Sequence, residues 1–134
     1  MRLSNAQNYA IAAAVQLAVD SSVRLSCKTI CQRAEIPERF VMSIMRRLAE
    51  ANLVEGKLGA SGGYLLTQPA NAITVLEVVE AVDGRFDHDL NANVPGIDMR
   101  AQLLVKSAIE EGVSLFRKRL AAITLAELKS VNDA

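Results

Sequence analysis

The sequence predicts a mainly helical fold that carries a single small β-hairpin, and three observations predict it. Four of the seven glycines, Gly56, Gly59, Gly62 and Gly63, crowd into eight residues bracketed by the short apolar runs Leu53-Val54 and Tyr64-Leu65-Leu66. A phosphate-cradling loop would lead straight into a helix, so this cluster reads as the tip of a hairpin. Ile36-Pro37 separates two helical segments, and the residue before a proline is pushed out of the α region, which makes a turn and a fresh helix start. The helix that follows, Pro37 to Asn52, projects Phe40, Val41, Ile44, Leu48 and Ala51 on one face. Arg39, Ser43, Arg46 and Glu50 fall opposite, with Met42 and Arg47 on the flanks. A helix pair, an arginine-bearing helix and a glycine-tipped hairpin, in that order, make a winged helix-turn-helix.

Each element has its own signal. Ser4-x-x-Gln7 is a capping-box pattern ahead of the Ala-rich run Tyr9 to Val19, a first helix of about four turns that ends near Asp20-Ser21-Ser22. Ser26 caps a shorter helix, Cys27 to Ala34. After the hairpin, Pro69 and Asn71 punctuate the chain. Thr74-x-x-Glu77 then opens an amphipathic helix with Val75, Val78, Val79 and Val82 turned inward, and Gly84 stops it. Residues 85–98 have no periodicity and read as a loop. From Asp98 to about Ile123, Leu103, Ile109, Val113, Phe116, Leu120 and Ile123 recur near a 3.5 to 3.6 spacing, giving a helix of roughly 35 to 40 Å. Such a helix outgrows a small core, and its spare apolar length is expected to meet a second copy of itself. Thr124-x-x-Glu127 caps a short last helix. Three parts are expected: a winged helix-turn-helix over 1–84, a loop over 85–98, and over 99–134 a dimerisation helix with a short final helix.

The bulk numbers fit that plan. A chain of 134 residues with 51% apolar residues can build one compact core. No run approaches the roughly 18 apolar residues of a membrane span, and the amino terminus carries no small-residue cleavage site, so a cytoplasmic protein without membrane contact is expected. Cys27 and Cys31 form neither a disulfide framework nor a zinc spacing. The zero net charge hides an asymmetry. Residues 1–70 hold eight Lys and Arg against five Asp and Glu, whereas residues 71–134 hold seven against ten. A weakly basic half joined to an acidic half suits a DNA-facing module attached to a part with another task.

At this point the chain resembles the Rrf2 family of bacterial transcription regulators over nearly its whole length. MRLS with Tyr9-Ala10, Ile30, Ile36-Pro37, Leu48, the run Ala51-Asn52-Leu53-Val54, Gly59 with Gly62-Gly63-Tyr64-Leu65, Ile73-Thr74 and Glu77 carry the likeness. The resemblance implies a homodimeric, repressor-type reader of an inverted repeat in double-stranded DNA, its long helix crossing between subunits through Leu103, Ile109, Val113, Phe116 and Leu120. Position on the third helix puts Arg39, Met42 and Ser43 within reach of base edges in the major groove. Arg2, Arg46, Arg47 and Lys57 suit phosphates, Lys28 joins the DNA-facing set, and Gly59 and Ser61 at the wing tip bring main chain close to the backbone. Tyr64 reads as core.

Three departures from the family stand out. Many members carry three cysteines between the fourth and the long helix that ligate an iron–sulfur cluster; residues 85–99 have none, so no cofactor is expected. Leu58 stands where many relatives place a wing arginine. Asn5, Ala6, Gln7 and Asn8 stand where relatives often place Lys or Arg. Without a cluster, sensing would fall to a small-molecule or protein effector at loop 85–98 or the dimer groove.

Other readings have their own features. The lost wing arginine and neutral charge would suit a winged-helix protein-interaction module. Cys27, Cys31 and His88 would serve a redox or small-ligand sensor, although an i, i+4 disulfide strains a helix and core packing is the default for Cys31. Asp87-His88-Asp89 sits in a loop where acids are normally solvated, and no metal site is assigned. No partnered nucleophile or catalytic carboxylate pair is present, and no enzyme is expected.

Overall fold

The computed structural model describes residues 1–133. Helix α1 (Asn5–Val19) is central: its capping box closes in both directions between Ser4 and Gln7, and Ala10, Ala13, Ala14, Leu17 and Ala18 form a buried seam. Small side chains let neighbours approach closely, and α1 touches α2 (Cys27–Ala34), α3 (Glu38–Glu50), α4 (Val75–Asp83) and α6 (Leu125–Asn132).

The turn between α2 and α3 forms at Ile36-Pro37. Glu35 takes a left-handed conformation at φ 56°, and Pro37 caps α3 in an extended one. Helix α3 is shorter than the predicted Pro37–Asn52, because Asn52 at φ 59° turns the chain away after Ala51. Ala51 is therefore exposed, and Met45, fully buried beside Val41, Ile44 and Leu48, completes the inner face instead.

Strands β1 (Val54–Lys57) and β2 (Gly63–Leu66) pair antiparallel, in a register running from Val54 opposite Leu66 to Lys57 opposite Gly63. A third segment joins them. Leu25 exchanges both backbone hydrogen bonds with Tyr64, at 3.1 and 2.8 Å, and seats the hairpin against the start of α2. Gly63 is needed there: at φ 119°, a Cβ would lie 2.6 Å from the Leu25 carbonyl oxygen.

Beyond a short 3-10 turn (Ala70–Ala72), α4 starts where the Thr74 hydroxyl accepts the Glu77 N–H at 3.2 Å. Residues 84–98 hold no helix or strand. Helix α5 (Met99–Ala121), capped by Asp98, buries only Val113, in its second half. The last helix returns to the body. Backbone bonds of 2.9 Å from Val75 to Ile123 and from Leu125 to Ile73 tie the α4 and α6 starts together, and Leu125 and Ile73 are fully buried. Helix α6 thus completes the core of the first 84 residues rather than extending α5.

Candidate nucleic-acid interface

Because Val41, Ile44, Met45 and Leu48 point inward, the opposite face of α3 is forced outward. Arg39, Met42, Ser43 and Arg46 form one wall of a groove of about 900 Å³, and Lys57, Leu58, Gly59 and Ala60 of the wing form the other. Ser26, Cys27 and Tyr64 also line it. Three cations and no carboxylate are among its described lining residues. The Arg39 guanidinium rests 4.8 Å from the Phe40 ring centroid, and that ring packs on Tyr9 at 5.5 Å, which orders the base of a long side chain. Met42 is 73% exposed, a high value for a large apolar side chain on a helix. Arg39 and Arg46 have no ion-pair partner among the described residues, so their charge is directed at whatever fills the groove.

The base of the wing is held by hydrogen bonds. Arg24 donates to the Gly63 carbonyl at 3.2 Å and to the Glu55 carbonyl at 3.4 Å, and pairs with the Glu55 carboxylate at 3.1 Å, bridging both strands. Sequence reasoning misses Arg24, since nothing local marks an arginine whose partners lie 31 and 39 residues away. At the tip, a Cβ on Gly62 would fall 2.2 Å from the Lys57 carbonyl oxygen. Leu58 is 96% exposed. Ser61 is exposed at the tip but lies outside the groove lining.

The predicted DNA-facing set divides. Arg39, Met42, Ser43, Arg46, Lys57 and Gly59 converge on the groove. Arg47 does not. Its guanidinium hydrogen-bonds the Val82 carbonyl and lies 3.9 Å from Asp83, whose carboxylate also takes the Ser4 hydroxyl. The unsatisfied carbonyls and negative dipole end of α4 draw Arg47 to the far side of α3, and it ties α1, α3 and α4 together. Arg2 borders a separate depression with Leu3, Ser4, Asn5 and Asn8, and Lys28 is exposed on α2 outside the groove.

The two thiols have separate surroundings. Burial pushes the Cys27 thiol up from its usual range, only partly offset by a hydrogen bond with the Tyr64 hydroxyl. Cys31 donates its S–H to the Ile36 carbonyl at 2.9 Å across the helix-turn-helix turn.

The predicted dimer stripe also divides. Val113 is buried, and Phe116, half-buried, packs edge-on against Phe86 at 5.0 Å. Ile109 and Leu120 are half-buried, and Leu103 is 51% exposed. The exposed apolar face of α5 instead carries Leu104 and Leu115, with Ala108 between them. Beneath α5, Arg117 grips Glu80 through two bonds of 2.8 and 2.9 Å. That hydrogen bond holds the Glu80 carboxyl below its ordinary range. Asp87, bonded mainly to Arg85, is lowered to about 2. His88 pairs with Asp89 at 3.0 Å on the exposed loop.

A helix-turn-helix followed by a two-stranded wing, whose third helix and hairpin flank one groove, places the fold in the winged helix-turn-helix class. Solved structures share the fold: T. potens IscR aligns with 99% of this chain and 88% of its own at a TM-score of 0.75 and 24% identity. The B. subtilis global cysteine regulator CymR aligns over 98% of both chains at 0.71 and 24%. The chain belongs to the Rrf2 family, described as an iron-dependent transcriptional regulator, whose profile matches residues 3–130. Sequence relatives include the HTH-type transcriptional regulator IscR of Cereibacter sphaeroides, 35% identical over 62% of this chain and 56% of its own. IscR of Escherichia coli is 34% identical over 65% of this chain and 54% of its own. The chain spans 60% or less of the length of these relatives. The family is one of regulators, not enzymes.

The iron named in that description would need a set of donors. Residues 85–98 contain no cysteine, Cys27 and Cys31 lie on α2, and no group of three His, Cys, Asp or Glu is placed to hold a metal ion among the described residues. Iron–sulfur clusters take thiolate ligands in number, and this loop does not supply them. Among the described residues, no helix is long and apolar enough to cross a membrane.

Proposed function

We propose that the protein is a DNA-binding transcriptional repressor that grips an inverted-repeat operator as a homodimer and works without an iron–sulfur cluster. The observation that carries this reading is the carboxylate-free groove flanked by Arg39, Met42, Ser43 and Arg46 on one side and Lys57 with the glycine tip on the other. Arg39 and Ser43 suit hydrogen bonds to base edges, Met42 suits a thymine methyl, and Arg46 and Lys57 suit phosphates. The named function of the IscR relatives, transcriptional regulation, points the same way.

The second copy is assigned to the outer face of α5. Leu103, Leu104 and Leu115 leave much apolar surface in water there, and a C2 partner would cover it, with Ile109 and Leu120 at the edge of that contact. An effector, small molecule or protein, would act where loop 85–98 meets α5, in the cleft lined by Asp87, Asn91, Lys106, Glu110 and Arg117. A protein with no membrane contact and a cytoplasmic site of action fits this role.

Selection from a genomic fragment library tests the proposal. Recovery of an inverted repeat supports it, and recovery of fragments sharing no repeat rejects it. Iron and sulfide analysis after anaerobic purification is the companion measurement, where stoichiometric iron would reject the cluster-free part.

A further inference from the structure

The least expected side chain on the DNA-facing side is Leu58. It is 96% exposed, more than any other large apolar residue among those described, and it is the first residue of the wing loop after β1, on a hairpin whose base is fixed by Arg24 and Leu25. Its neighbours toward the turn are Gly59, Ala60, Ser61 and Gly62, so nothing bulkier than Leu58 itself stands at the tip. A loop so thin matches the minor groove of B-DNA, about 6 Å wide, better than it matches the flat face of a protein partner. The charge around it agrees: Lys57 precedes it, and Arg39 and Arg46 face it across a groove without a carboxylate among the described lining residues.

Resting on the DNA-binding reading, we infer that Leu58 is an apolar wedge that the wing drives into the minor groove beside the major groove read by α3, opening a base step and bending the duplex. Small apolar side chains inserted from the minor groove unstack a step and kink DNA, most easily at pyrimidine–purine steps. Specificity at those positions then comes from deformability, with no hydrogen bond to a base. A stiff wing is a requirement of this mechanism, because a mobile tip would retreat before it separated two stacked bases. Arg24 and the Leu25 bridge anchor the base of the wing against that load.

The test uses the intact protein and the duplex recovered by selection, with 2-aminopurine placed in turn at the pyrimidine–purine steps that flank the α3 contacts. Wild-type protein should raise the fluorescence several-fold at one step per half-site, and end-to-end energy transfer should report a bend. Leu58→Ala should abolish both signals and weaken binding about tenfold, leaving the salt dependence unchanged because no charge is removed. Leu58→Met should retain both signals, since a second apolar chain of similar size can fill the step. Tight binding by Leu58→Ala with the fluorescence rise intact would overturn the wedge alone. Failure of the wild type to select any duplex would overturn the DNA-binding reading and the wedge with it.

Discussion

Arg46 and Arg47 are adjacent in sequence, and the structure gives them opposite duties that one pair of variants separates. Arg47→Ala removes a charge-assisted hydrogen bond to the Val82 carbonyl and an ion pair with Asp83 at 3.9 Å. Both side chains are partly exposed, 49% and 36%, so solvent screening discounts the pair and leaves a cost of about 1 kcal/mol. For a domain of this size that lowers Tm by about 4 °C. Arg46 is exposed and engages no carboxylate among the described residues, so Arg46→Ala should leave Tm unchanged. Its effect falls on DNA. Losing one phosphate contact per protomer should reduce the slope of log affinity against log salt by about 2 for a dimer, with affinity falling across all sequences. Calorimetry and binding titrations at several salt concentrations measure the two effects. A salt slope reduced by Arg47→Ala as much as by Arg46→Ala would refute the assignment of Arg47 to α4.

Further outcomes follow from other contacts. Gly62→Ala places a Cβ 2.2 Å from the Lys57 carbonyl oxygen, so the wing tip must rearrange. DNA affinity should fall at least about tenfold in a binding titration while Tm stays nearly constant, because the tip is solvated. If the outer face of α5 holds the second copy as proposed, Leu104→Asp or Leu115→Asp should leave the chain monomeric in sedimentation without unfolding it. Val113→Ala should instead cost about 1–2 kcal/mol of folding stability in denaturant titration and leave association intact. The carboxyls of Glu80 and Asp87 are depressed in the folded state, so their stabilisation is complete above their unfolded values near 4.5 and 3.8 and is lost as pH falls through the lower folded ones, about 2 for Asp87. Glu80→Gln should therefore show lower stability at pH 7 and a flatter loss of stability below pH 4.5 than the wild type.

What the sequence makes legible here is whatever local chemistry decides. Ser4 and Gln7 cap α1 because both partners lie within one turn, Ile36-Pro37 breaks the chain through a steric clash between neighbours, and Gly62 and Gly63 mark the hairpin through their own backbones. Periodicity also told which side of α3 faces outward, and so gathered Arg39, Met42, Ser43 and Arg46. It could not say what lies beside a flank. Arg47 turned to a carbonyl 35 residues away, and Arg24 found partners on two strands at once. On α5 the same limit hides that Val113 is buried and that Phe116 meets Phe86, 30 residues back in the chain. The return of α6 to α1 depends on a backbone bridge between Thr74 and Thr124, which no amphipathic pattern encodes.

The outer face of α3 is proposed to read a base sequence. Competition between the selected repeat and a scrambled duplex of equal length and composition, for wild type and Arg39→Ala at low and high salt, tests it most directly. The wild type should prefer the repeat by at least about a thousandfold, with affinity falling with salt, and Arg39→Ala should reduce that preference by at least about tenfold. Equal binding of repeat and scramble by the wild type, or an undiminished preference in Arg39→Ala, would contradict it.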